Sequence, residues 1–560
     1  MTLSRVEDFA LPTRADAFLF ALKSGVFRLR RSLRDAVSGP ARLPRAGAGT
    51  AADAFPFVAA ASRTPLWAEV PAAERILQRG KVQNLRVAAR RLDGTLLDAG
   101  AVFSFWKQMG RASPRRGFAQ GRMLKEGCIV PATGGGLCQL SNALYDVALK
   151  ADLAILERHA HSRRVPGSLA ASGRDATVAW NYVDLRFKSA VPLLLCVRLS
   201  ARELIVELKS QTPRTVHDVA ALPDARPQAE SCESCDRTSC FRHGVAASEG
   251  RRAVLVDEVW PEFDAHVSGD LLCLPMTGRP QYGWTTAKFA QVKTAPLTTL
   301  ARGFAMRRVA NGAKRRALEL ATAERLARRY AAGLDADVTE LVIAQTLLPT
   351  LWRDGHLGGR KFSVLMTRLP MAEIQARLDA AARAHPERAT LADFRADAAL
   401  EAEALAAADA IVTPHAEIAA LFGDRAILLP WATPKTGFRH APGSRRIAFA
   451  GPTIARKGAY ELRDAARALD LEVVLLGSEL EGAKFWAGLR TARDIGEGVA
   501  AFVQPAFLED RPRKLLAALA SGIPVIATKA CGLPAQNGLT LVEAGNTEAL
   551  IKAVQTALGR

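Results

Sequence analysis

The chain has 560 residues, of which 49% are hydrophobic and 24% charged, ordinary globular usage that excludes a wholly disordered protein. The formal net charge is +20, but the bases are spread without one long run and without interleaved aromatic residues, so no nucleic-acid partner is expected. The eight cysteines are too few and too unevenly placed for a disulfide scaffold, and neither a secretory start nor a run of about 18 apolar residues occurs, so the expected location is cytoplasmic.

One hydrophobic core stops growing near roughly 250 to 300 residues, so two or three domains are expected. Residues 1–60 read as an amphipathic helix and a linker. In 14–37, Phe18, Leu19, Leu22, Val26, Phe27 and Leu29 recur at helical spacing among Arg28, Arg30, Arg31 and Arg34. Such a helix either lies on a membrane, placing the protein peripherally at the inner membrane face, or docks on its own protein. The stretch 40–56, "PARLPRAGAGTAADAFP", has the Pro, Gly and Ala content of a linker.

Residues 61–212 have an α+β pattern, with strands expected over 175–187 and, as two runs around a polar turn, over 192–210. Residues 213–250 read as a second linker. From 251 the texture changes to short apolar strands, such as "DAIVTP" (409–414), "RIAFAGP" (446–452) and "EVVLLG" (472–477), alternating with helical stretches. That alternation predicts parallel sheets with helices on both faces, in two lobes over 251–432 and 433–560. The fold class expected is therefore multidomain α/β.

Three places carry chemistry. In "TGGGLCQLSNALYDVAL" (133–149) the glycines allow a sharp turn, and Cys138 opens a helix whose apolar stripe is Leu137, Leu140, Leu144, Val147 and Ala148. Cys138 instead shares its face with Ser141, Asn142 and Tyr145, and a helix start lowers a thiol pKa. Amides at Gly135 and Gly136, with Ser141, are the candidates for holding an acyl substrate. A base is available in "ERHAHS" (157–162): if extended, it points Glu157, His159 and His161 to one face, with Asp175 or Asp184 to orient the imidazole.

In the second linker Cys232, Cys235, Cys240 and His243 form C-x2-C-x4-C-x2-H, ligands suited to a structural zinc and less to an iron-sulfur cluster. In the C-terminal part, a Gly-Gly turn flanked by His356 and Arg360 makes His356 a candidate for an acceptor or phosphate, and His415 follows a strand.

The blocks "FSFWKQMG" (103–110), "RRGF" (115–118), "GGGLCQLSNALY" (134–145), "ERHAHS" and "DATVAWNYVDLRFKS" (175–189) resemble a VanW-type domain over about 65–210. Some members are linked to cysteine-dependent transpeptidation of peptidoglycan, which implies Cys138 as nucleophile and His159 or His161 as base. The absence of an export signal departs from that extracytoplasmic reaction and leaves the acyl donor open. Residues 252–560 resemble a GT-B glycosyltransferase, two Rossmann-like lobes, on "ALAAADAIVTPHAEIAALFG" (404–423), "DRAILLPWATP" (424–434), "RIAFAGPTIARKGAYELRDAARAL" (446–469) and "PAFLEDRPRKLLAALASGIPVIATKACGLP" (505–534). That resemblance implies a retaining enzyme with a nucleotide-sugar donor and a glycan or lipid-linked acceptor, in envelope polysaccharide or precursor synthesis. It places Gly451, Arg456 and Lys457 at the donor diphosphate and Glu509 near the donor sugar. Two departures stand out: Pro452 follows the glycine where an arginine is common, and Ala517 replaces a second glutamate that would bind the ribose, which leaves a non-catalytic scaffold or sensor as the alternative.

Overall fold

The structure, a computed structural model, describes residues 14–46, 53–70, 74–125, 128–161, 163, 168–220, 230–231, 249–309, 312–388, 395–434, 437–482 and 484–559. These form two compact units. The first holds the described residues up to Arg251 together with Leu334–Glu340 and Asp354–Lys361; the second holds the remainder.

The first unit is built on an antiparallel sheet in which Phe57–Pro65, Glu203–Ser210, Leu193–Leu199 and Thr95–Leu97 lie in that order. The expected pair of runs in 192–210 is a hairpin turning at Ser200–Arg202. Helix Arg75–Leu92 and helix Leu137–Lys150 cover one face. The apolar stripe read from the sequence is the buried one: Leu140, Leu144, Val147 and Ala148 are wholly inside, packed with Leu85, Leu92, Leu195 and Val206. Each such leucine contributes roughly 1.5 to 3 kcal/mol of burial.

Two expectations fail here. Of residues 175–187, only the end enters a strand, Arg186–Lys188; the rest is irregular because its backbone groups are taken by side chains and loops, Ala176 N–H by Asn142 Oδ1 (2.7 Å) and Thr177 N–H by His159 O (2.8 Å). The expected linker over 40–56 is also partly built in. Leu43 is buried, Arg45 bridges to Thr95, and Ala46 N–H donates to Gly94 O.

Most residues of two further sheets belong to the second unit. One runs Phe289–Thr294, Gly269–Leu274, Arg251–Leu255, Val338–Ala344, Lys361–Leu365, Ala410–Thr413, Ala426–Leu428. The other runs Arg490–Ala492, Glu472–Leu475, Arg446–Phe449, Ala501–Gln504, Val525–Thr528, Leu539–Val542. The six-stranded sheet follows strand order 3-2-1-4-5-6 with every pairing parallel, and the seven-stranded sheet follows the same order with a seventh strand added at the end. Alternation along single strands sends side chains to both faces: Ile447 and Phe449 join the core beneath helices Ala459–Ala468 and Thr547–Ala557, while Ala448 joins the core on the opposite face. The expected α/β class with two Rossmann-like lobes is what the chain adopts.

Candidate functional site

The turn before Cys138 is held by one buried side chain. Asn84, from helix Arg75–Leu92, donates to Gly135 O (2.9 Å) and Ala119 O (3.0 Å) and accepts from Ala119 N–H (2.8 Å). Gly135 passes so close to the strand at Gly121 that a Cβ there would lie 2.2 Å from a carbonyl oxygen, and Gly136, at φ +96°, caps the helix. Gly135 N–H is spent on Ala132 O, so the sequence-based role of its amide in substrate binding is not available to it. The helix begins at Leu137, and Cys138 sits half-buried in its first turn.

Opposite the sulfur lie two loop segments. His161 hydrogen-bonds the Cys138 thiol, and Thr177 Oγ1 is 3.7 Å from Sγ. Asp175, buried, binds the same imidazole at Nδ1 and also accepts from His161 N–H (2.8 Å), leaving Nε2 for the sulfur. Burial pushes the Cys138 thiol up, but the hydrogen bond and charge of His161 outweigh it and bring the thiol below its ordinary value. Burial opposes the imidazolium too; Asp175 and the sulfur overcome it and raise His161 to about 10. The arrangement favours a thiolate facing an imidazolium.

Several residues read from the sequence do other work. Ser141 is buried, and its hydroxyl donates to Ala176 O and Cys138 O, so with Asn142 it fastens the 175–177 segment to the helix rather than meeting a substrate. The strand before the histidines ends at Glu157, so the expected common face is lost: His159 turns outward, half-exposed, with Nε2 3.4 Å from Glu157. Asp184 accepts from Ser104 Oγ, Trp106 N–H and Arg186, on a different part of the unit's polar interior. Nothing in the sequence marks Thr177, because a threonine in an apolar run carries no signal of a nearby thiol.

In the second unit, strand Arg446–Phe449 and its neighbour Ala501–Gln504 form the switch point of the sheet, where its strand order reverses. Just beyond their carboxyl ends lies a cavity of about 250 Å³ lined by residues that include Gly451, Pro452, Lys457, Glu509, Arg513 and Lys514. Gly451 N–H donates to buried Gln504 Oε1 (2.9 Å). Lys457 Nζ is 3.0 Å from Glu509 Oε2 and donates to Leu508 O (2.8 Å). Burial raises the Glu509 carboxyl, but Lys457 and the Arg511 amide hold it below the usual carboxylate range.

Three further cations, which the sequence reading missed, border this cavity. Arg511 pairs with Glu258, and Arg513 with Glu262 (2.8 Å from Nη2 to Oε2) while lying over the rings of Trp260 and Trp431. Lys514 Nζ donates to two carbonyls, Ala450 O (3.0 Å) and Leu476 O. Arg456 borders a separate small crevice beside Ile454 and Ala455, because the turn at 455–457 sends adjacent side chains to different sides. Ala517 is buried within helix Arg513–Ala520.

His356 lies in the first unit, not in the second. Its Nδ1 accepts from Arg90 Nη1 (2.9 Å), and burial beside Arg90 and Arg360 takes it down to about 3, a neutral imidazole packed among guanidinium groups. His415 caps helix Ala416–Phe422, with Nε2 3.2 Å from Glu509 O. Cys232, Cys235, Cys240 and His243 lie outside the described residues; among the described residues no group of three or more His, Cys, Asp or Glu is arranged to hold a metal.

One unit thus holds a thiol, an imidazole and a carboxylate together, and the other a cationic crevice at a Rossmann-like switch point. Residues 80–209 match the family described as VanW like protein, and residues 446–560 match Glycosyl transferases group 1: the chain joins a VanW-like domain to a GT-B glycosyltransferase-like region. It is 34% identical over 119 residues to the vancomycin B-type resistance protein VanW of Enterococcus faecalis, covering 21% of this chain and 43% of that protein. It is 29% identical over 134 residues to the uncharacterized protein YoaR of Bacillus subtilis, covering 24% and 44%. The chain thus spans less than half the length of either relative. Among solved structures it is similar to a sucrose-phosphate synthase from Thermosynechococcus elongatus (14% identity, 56% of this chain and 90% of the other, TM-score 0.35) and to the lipopolysaccharide outer core galactosyltransferase WaaB (13%, 55% and 90%, TM-score 0.30).

Proposed function

We propose that the second unit transfers a sugar from a nucleotide donor to a glycan or lipid-linked acceptor of the cell envelope, and that the first carries an acyl-transfer site with Cys138 as nucleophile. The observation that supports sugar transfer best is the position of Lys457, Lys514 and Glu509 around a cavity at the switch point, where a diphosphate would meet cations. Lys457 and Lys514 would neutralise the diphosphate, and Glu509 would face the donor sugar. For the thiol, His161 takes the proton, Asp175 holds the imidazole in the tautomer that receives it, and the amides of Leu137 and Cys138, ahead of the bond from Gln139 N–H to Gly136 O, would receive the oxyanion.

Titration of the purified protein with a panel of uridine, guanosine, adenosine and thymidine diphospho-sugars tests the donor site. Saturable binding to at least one is expected, weakened about tenfold or more in Lys457→Ala and Lys514→Ala, since each removes a charge-assisted contact of roughly 1.5 to 3 kcal/mol. Absence of binding to every donor would remove the sugar-transfer reading.

A second reading, a scaffold or sensor whose lobes no longer transfer, is favoured by Ala517, a buried methyl where the family's second glutamate stands. Ala517→Glu decides between them. A gain in donor affinity marks a lapsed site; no gain, together with wild-type binding, marks a donor held in another way.

A further inference from the structure

We propose that the N-terminal helix Arg14–Ser38 is a docking element for an anionic lipid bilayer, held on the first unit by its polar side so that its apolar side faces outward. Amphipathic helices of folded domains bury the apolar stripe; this one is inverted. Its inward residues are Ser24 and Arg31, 3% and 5% exposed. The Arg31 guanidinium forks onto Glu157 (3.1 and 2.7 Å) and binds Asp35 (3.0 Å), which also receives Arg186. Arg28 Nε donates to Trp180 O (2.7 Å), one turn before Arg31 on the same side.

On the opposite side, Leu22, Val26, Leu29 and Leu33 are 57%, 60%, 63% and 63% exposed, and Phe18, Leu19 and Val37 extend the row. At about 100° per residue these seven occupy an arc of roughly 100°, and Lys23, Arg30 and Arg34 fall together along one border of it. All three of those bases are exposed. A row of aliphatic and aromatic side chains edged by cations is the chemistry of the bilayer interface: the apolar residues enter the acyl boundary and the bases meet anionic headgroups. Charge decides the occupant. A second copy of this chain, with its net charge of +20, would bring like charge against that border, whereas an anionic membrane brings the opposite sign. The carboxylates that grip Arg31 fix which side faces out, so the unit itself enforces the orientation. The proposal is independent of the chemistry of either candidate site.

The test is co-sedimentation of the whole protein with phosphatidylcholine vesicles, with and without about a quarter phosphatidylglycerol. Wild type is expected to pellet with the anionic vesicles, and to be released as salt rises from about 0.1 M to about 1 M. Leu22→Glu/Leu29→Glu/Leu33→Glu is expected to lose about a thousandfold of the partitioning, since each of the three leucines contributes roughly tenfold. Lys23→Gln/Arg30→Gln/Arg34→Gln, which alters only exposed groups, is expected to lose the preference for anionic over neutral vesicles. An unchanged Cys138 alkylation rate in each variant reports that the unit is folded. Wild type left in the supernatant with both vesicle types, or either variant binding as wild type does, overturns the proposal. So does a wild-type dimer that the glutamate variant dissociates in sedimentation velocity without any vesicle binding, which would make a second copy the occupant.

Discussion

At the scale of single residues, the described free cysteines separate by environment. Burial drives Cys196 up to about 11, and Cys273 and Cys531 each to about 12, while His161 reverses the effect of burial at Cys138. Iodoacetamide at pH 7, read by peptide mapping, is therefore expected to label Cys138 first among these four, and Asp175→Asn to slow that labelling about tenfold or more, one pKa unit being a tenfold change in the thiolate ratio. Equal rates at Cys138 and Cys196 would show an ordinary thiol. The pH dependence of stability has a definite sign. Because the folded-state value of His161 is raised from 6.5 to about 10, the stabilisation it supplies is fully present below about pH 6.5 and is lost as pH rises through about 10. The gap in denaturation free energy between wild type and His161→Gln should then close across that window. Cys138 and Asp175 were legible as candidates from residue type and position. Choosing His161 over His159 was not, because alternation applies only to a strand, and the strand stops at Glu157.

At the scale of elements, the Cys138 helix starts where it does because three segments converge on two glycines. A Cβ at Gly135 would collide with the backbone of Gly121, whose own missing Cβ leaves room for Gly135 O and Asn84. Backbone on backbone cannot move aside as a side chain can. Gly135→Ala is expected to destabilise the protein by about 2 kcal/mol or more in urea denaturation and to slow Cys138 alkylation as the helix start shifts. At Gly136 a Cβ would lie 2.1 Å from Lys81 Cγ and 2.9 Å from Lys81 Cβ, the root of a side chain whose Nζ is held by Gln139, so Gly136→Ala meets a clash on top of the positive φ, which by itself costs about 1 to 2 kcal/mol. The glycine run announced a sharp turn in the sequence. What each glycine's missing Cβ would strike depends on strands and helices more than ten residues away.

At the scale of the whole molecule, the first unit is not continuous in sequence. Arg86, buried, donates to Gly358 O (2.7 Å), Arg90 binds His356, and Arg360 donates to Val338 O (2.8 Å) and His356 O (2.7 Å), so Leu334–Glu340 and Asp354–Lys361 complete it. A chain ended after residue 251 should therefore unfold at lower temperature than the first unit does within the whole protein, by a margin reflecting about 2 to 4 kcal/mol for guanidinium groups left without acceptors. Differential scanning calorimetry of both chains checks it; equal transitions would show that the segments are dispensable. The sequence by itself determined what is local and periodic: the helix stripe Leu137 to Ala148, the hairpin over 192–210, the alternation that makes two parallel sheets, and the residue types for a thiol site and a cationic crevice. Only the tertiary structure decided which imidazole meets the thiol, that His356 belongs to the first unit, that Ser141 is spent on backbone, and that the N-terminal helix turns its leucines outward. Those outcomes depend on hydrogen bonds and ion pairs between residues tens to hundreds of positions apart, and a repeating pattern along the chain records which side of an element is apolar but not what that side will meet.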